Sequence, residues 1–134
     1  MENSNNEELS TFHLLVKVAK ADGDVSYEEL DFIYRIAARL KISKEARDKV
    51  LSDQYSFNPP KEEGKRIVIF HKLLLLAYSD NKIDKKEIQV CHNLGLKLGL
   101  NTTVVSEILK ILEKDPEAAI DPKRILKMFN SFRS

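Results

Sequence analysis

The twelve residues from Ile67 to Tyr78 read I-V-I-F-H-K-L-L-L-L-A-Y, and ten of them are non-polar or aromatic. A helix of that composition is apolar nearly all round, so it belongs in the middle of a helical assembly rather than on its surface. Lys72 lies inside the stretch, and crossing a bilayer takes about 20 apolar residues, so a membrane span is excluded. The rest of the chain has to be arranged around this segment as a core helix.

The surrounding composition agrees with an all-helical fold. Four glycines, four prolines and no tryptophan leave too few turn signals for a sheet protein, and no long stretch alternates polar and apolar residues. A length of 134 residues fits a single domain with a sizeable core and no staples. Lys and Arg number 22 against 21 for Asp and Glu. A net charge of +1 gives no general attraction to nucleic acid or to an anionic membrane. One cysteine, Cys91, rules out an intrachain disulfide, and the opening M-E-N-S-N-N-E-E has no signal-peptide character. Both features lead us to expect a cytoplasmic protein.

In chain order, residues 1–8 are polar and are expected to form a flexible N-terminus. A first helix should turn Leu9, Phe12, Leu15, Val16 and Ala19 inward and end near Ala21. After the loop Asp22-Gly23-Asp24, the run Ser26-Tyr27-Glu28-Glu29 matches a capping box and opens a second helix with Leu30, Ile33, Ile36 or Ala37, and Leu40 on its apolar stripe. A short third helix follows Ser43. The stretch Ser56-Phe57-Asn58-Pro59-Pro60 ends it and is the clearest break in the chain. Beyond the break come the core helix (61–78), a fifth (85–98), a sixth (102–113) and a last short helix near 124–132, seven in all.

The pattern after the break repeats the one before it. A shift of 58 residues lays Phe12-His13 on Phe70-His71, Leu15 on Leu73, Ala19 on Ala77, Asp22 on Asp80, Glu29 on Glu87 and Leu40 on Leu98. Composition alone would give about two such identities in a window of this size. The spacing predicts two tandem three-helix repeats, residues 9–56 and 61–113, packed about a pseudo-two-fold axis and followed by a C-terminal helix at 122–133. All would lie within one domain covering residues 9–134.

The apolar helix followed by Ala21-Asp22-Gly23-Asp24-Val25-Ser26-x-x-Glu29, with the degenerate copy Ser79-Asp80-Asn81-Lys82-Ile83-Asp84-x-x-Glu87, resembles the TerB-like domain of tellurite-resistance proteins and of DjlA-type co-chaperones. The resemblance runs from about Phe12 to Leu112. It implies an all-helical fold of about seven helices, a cytoplasmic stress-response setting and an acidic cluster that binds a divalent metal such as calcium. In the second copy Gly23 is replaced by Asn81 and Asp24 by Lys82, which weakens the case for that loop as a second metal site. No J-domain follows, so co-chaperone activity is not expected.

Read from the residues alone, the acidic loops allow two accounts. Asp22, Asp24, Glu29, Asp80 and Glu87 are candidate metal ligands if packing brings them together. Alternatively, Asp22 and Asp80 make local turn bonds while Glu29 and Glu87 close capping boxes. An EF-hand is not expected, because the first two ligand positions would fall on Val18 and Lys20. His13 and His71 fall half a turn out of phase with the loop aspartates, and Cys91 lies on an apolar stripe, so all three read as packing residues.

No nucleophile elbow, phosphate-binding loop or paired zinc motif occurs, so an enzyme is not expected. The expected role is an interaction module with a protein partner, no nucleic acid and no membrane segment of its own, although a membrane-associated complex is a compatible setting. The alternative is a calcium- or metal-responsive switch. The sequence leaves the oligomeric state open.

Overall fold

The structure, a computed structural model, describes residues 2–54, 56–78 and 83–132. Among them are α1 (Glu2–Ala19), α2 (Tyr27–Arg39), α3 (Lys44–Ser52), α4 (Glu63–Ala77), α5 (Lys85–Lys97), α6 (Thr102–Lys114), a 3-10 helix (Pro116–Ile120) and α7 (Pro122–Ser131). The described residues contain no strand. The described residues are all-α, with seven α-helices, and the 3-10 turn between α6 and α7 is an addition to the expected pattern.

The chain divides into two compact units, Met1–Asn58 and Pro59–Ser134. The boundary falls on the Asn58-Pro59-Pro60 break. Each proline there lacks a backbone donor and disfavours helical backbone at the residue before it.

In the first unit α1 packs against α2 and α3. Phe12, Leu15, Val16 and Ala19 are fully buried on α1, and Phe32, Ile33, Ile36 and Ala37 on α2. Two details differ from the expected stripes. Leu9 is 38% exposed, and the half-buried Leu30 cedes its place in the core to Phe32. The helix also starts at Glu2, well ahead of Leu9. Glu7 and Glu8 therefore fall in its second turn, beyond the first turn in which carboxylates complement the helix dipole. At its far end Lys20 donates from Nζ to the carbonyls of Leu51 and Asp53, fastening the end of α1 to the end of α3.

In the second unit α4 lies against α5, α7 and the 3-10 helix, and α6 lies against α5. Ile67, Phe70, Leu73, Leu74 and Ala77 are buried, as the apolar run requires. The helix is not enclosed all round, however. Val68 is 54% exposed and Leu75 37%, and with the exposed Lys65 and Lys72 they form one outward stripe. The Phe70 ring meets Phe129 edge to face, with centroids 6.0 Å apart. Gly95 lets α5 approach closely, since a Cβ there would stand 3.1 Å from both Val105 methyls and 3.2 Å from Phe70. His71 Nε2 bonds the Ala119 carbonyl at 2.9 Å, tying α4 to the 3-10 helix, so this histidine is a packing residue with a satisfied ring nitrogen.

Several local devices recur at a spacing of 58. Helices α2 and α5 begin at 27 and 85 and each run 13 residues, and α1 and α4 end at Ala19 and Ala77. Ser43 caps α3 by accepting from the Ala46 amide, as Asn101 caps α6 by accepting from the Val104 amide, both at 3.1 Å.

Candidate functional site

The first acidic loop lies between α1 and α2. Gly23 takes φ +80, a left-handed conformation that glycine adopts without strain, and its amide donates to Lys20 O at 3.0 Å. Asp22 Oδ1 then accepts the Asp24 amide at 3.0 Å, which makes an Asx turn. The chain enters α2 through a complete capping box: the Glu29 amide donates to Ser26 Oγ and the Ser26 amide donates to Glu29 Oε1, each at 3.0 Å. Asp22 and Asp24 are exposed. Glu29 is only 3% exposed.

The second loop repeats the box with a different first residue. Asp84 replaces serine and accepts the Glu87 amide through Oδ1 at 2.8 Å, while the Asp84 amide donates to Glu87 Oε1 at 3.3 Å. Glu87 is 5% exposed. Asp80, the remaining candidate ligand, lies outside the described residues, as do Ser79, Asn81 and Lys82.

The structure therefore divides the candidate ligands by role. Asp22 and Asp24 present carboxylates at the surface, whereas Glu29 and Glu87 are turned into their helix N-termini and hold backbone donors. Within either unit, among the described residues, no three of His, Cys, Asp or Glu form a group able to hold a metal ion. The positions an EF-hand would need are spent elsewhere, with Val18 fully buried and Lys20 bound to the end of α3.

Behind the second loop lies a buried polar pair. Cys91 is 1% exposed, and burial, then the Glu87 charge, pushes its thiol up to about 12. Tyr78, at the end of α4, is likewise raised, first by burial and then by Cys91, Glu113 and Glu87. Its hydroxyl has no hydrogen-bond partner among the described residues. Neither group can ionise near neutral pH, so Cys91 is not a reactive thiol and serves packing.

Sequence reasoning missed two features. Arg66 donates Nη1 to the carbonyls of Leu98 (3.4 Å) and Gly99 (2.7 Å) at the end of α5. In the first unit an open groove of about 690 Å³ borders the turn between α2 and α3. The available signal was the 58-residue shift itself, which pairs Arg66 with Glu8, a residue on the rim of that groove.

Compared with known proteins, the chain matches no family model, no curated protein and no solved structure. Among the described residues no helix is long and apolar enough to cross a membrane.

Proposed function

We propose that this protein is a TerB-like helical interaction module of the cytoplasm, related to stress response, that binds a protein partner through its acidic loops. The observation that carries the reading is the loop Asp22–Glu29. An Asx turn and a capping box fix its backbone before any partner arrives, the Asp22 carboxylate is held by the Asp24 amide, and the Asp22 and Asp24 side chains both stand at the surface. A preordered acidic edge loses little conformational entropy on binding and favours a basic surface. The two units are taken as tandem copies of one repeat, a reading supported by the matched helix bounds and paired capping boxes.

The test is the variant Asp22→Asn/Asp24→Asn. Asparagine keeps the side-chain oxygen that the Asx turn needs and removes the charge. A partner captured from native lysate by the wild type should be lost from this variant at unchanged melting temperature. Equal capture by both would refute the role of the loop.

The second reading, a metal-responsive switch, has one observation in its favour: Asp22 and Asp24 flank a glycine in the tight turn that cation loops use. Calorimetric titration with calcium and then zinc separates the two. Saturable micromolar binding that the double variant loses supports the switch. Absence of heat from either ion leaves the binding module alone.

A further inference from the structure

The two units build the same turn after their second helix. In the first, the amides of Leu40, Lys41 and Ile42 donate to Ile36, Ala38 and Ala37 carbonyls at 2.9, 3.1 and 3.0 Å. In the second, Leu98, Gly99 and Leu100 donate to Leu94, Leu96 and Gly95 at 3.0, 2.9 and 3.1 Å. Lys41 and Gly99 both take positive φ, 57 and 75. The carbonyls that follow face out past the helix end, where the negative end of the dipole gathers and a cation is favoured.

In the second unit those carbonyls are occupied by the Arg66 guanidinium. The residue 58 positions earlier is Glu8 on α1, whose side chain offers acceptor oxygens where Arg66 offers donors. The first unit leaves an open groove at this point, with Glu8 and Leu9 on one side and Leu40, Lys41, Ile42 and Ala46 on the other.

We propose that this groove receives the arginine side chain of a basic peptide, whose guanidinium stands in the first unit where Arg66 stands in the second. The Leu40 and Lys41 carbonyls supply the acceptors, and the Glu8 carboxylate adds a planar anionic partner suited to the guanidinium fork. Leu9, 38% exposed, and the half-buried Leu40 and Ile42 offer an apolar wall for the arginine stem and for an apolar neighbour in the peptide.

Two cations border the groove. Arg39 already has a partner. Its counterpart at the 58-residue spacing is Lys97, beside which Arg66 docks regardless. Lys41 is the real difference. A Cβ at position 99 would stand 2.9 Å from Arg66 Nη1, so the incoming guanidinium must sit slightly nearer Glu8 than Arg66 sits to its own helix end.

This site lies at the opposite end of α2 from Asp22–Glu29, so it goes beyond the acidic-loop reading and can fail without it. The experiment is a titration of the ¹⁵N-labelled full chain with acetyl-Arg-Leu-amide, using acetyl-Gln-Leu-amide as control. The arginine peptide should shift the amides of Leu9 and residues 40–46 saturably, with the glutamine peptide at least about tenfold weaker. Glu8→Arg lets the chain fill its own groove, so it should abolish these shifts and raise the melting temperature. Glu8→Gln, which leaves the groove open, should weaken binding without that rise. Lys41→Gly should tighten binding severalfold. Equal shifts from both peptides, binding that survives Glu8→Arg, or shifts centred on residues 22–29 would each overturn the proposal.

Discussion

After α2 the chain turns through Leu40, Lys41 and Ile42, and after α5 it turns through Leu98, Gly99 and Leu100 by the same three backbone bonds. One turn is closed by an arginine from its own unit. The other faces a groove with a carboxylate on its rim. The backbone requirement is therefore shared, while the side chains placed beside the two turns differ. Where a segment must hold a conformation the two units agree, and where it meets solvent or a partner they differ.

The same contrast runs through the two cores, and its largest test is Phe70→Ala. Phe70 is fully buried, packs edge to face on Phe129 and touches the space above Gly95. Truncation should cost roughly 3–5 kcal/mol, read as a lowered urea midpoint. Phe12→Ala, at the matching position of the first unit, should fall in the same range. A loss below about 1 kcal/mol at either site would mean that the core there is not packed as described.

Alkaline pH separates the units next. Only the second carries Cys91 and Tyr78, whose counterparts in the first are Ile33 and Lys20. The Cys91 thiol keeps its proton in the fold up to about 12, whereas the unfolded chain loses it near the ordinary value of 9.0. Its contribution is fully present below that lower value and is lost as pH rises toward the upper one. The slope can reach about 1.4 kcal/mol per pH unit for this single group. Urea midpoints measured from pH 8 to 11 should fall, and Cys91→Val should flatten part of the decline. Tyr78, raised by the same burial, accounts for a further fall above its own ordinary range.

How much of this was legible beforehand depended on the kind of signal. Helix positions and the acidic loops came through because periodicity and capping are local: Ser26-x-x-Glu29 announced its box, and the box formed. Asp84 was less plain, since its role as a cap emerged only by analogy with Ser26. The division of candidate ligands was not legible, because whether Glu29 faces a metal or its own helix terminus is decided by one side-chain rotation. Arg66 was missed for a related reason. A lysine- and arginine-rich stretch looks solvated in sequence, and only the fold brings it to a helix end 33 residues away. The boundary of α1 at Glu2 also escaped, as polar residues carry no stripe to count.

Arg66→Ala against Glu8→Ala sharpens the comparison of the turns directly. Removing Arg66 leaves the Leu98 and Gly99 carbonyls without their charged donor, and should cost about 1–2 kcal/mol. Removing Glu8, which faces an open groove, should change stability by less than about 0.5 kcal/mol. Parallel urea curves for the two variants give the answer. Equal losses would mean that the first unit's turn is held from α1 after all.

The smallest effect expected is at Lys41. A non-glycine residue at φ 57 carries a Cβ close to its own carbonyl, and glycine is the usual occupant of this position after a helix. Lys41→Gly should therefore raise stability by about 0.5–1 kcal/mol, even though glycine also gains entropy in the unfolded chain. The reverse change at the second turn, Gly99→Ala, meets two penalties: the positive φ of 75 and a Cβ 2.9 Å from Arg66 Nη1. It should cost more than Lys41→Gly returns. Thermal melts of both single variants, and of Gly99→Ala with Arg66 replaced, divide that cost. If the Arg66 variant relieves most of it, the contact dominates. If it relieves none, backbone strain alone keeps glycine at position 99, and Lys41 is held at its positive φ against the same strain.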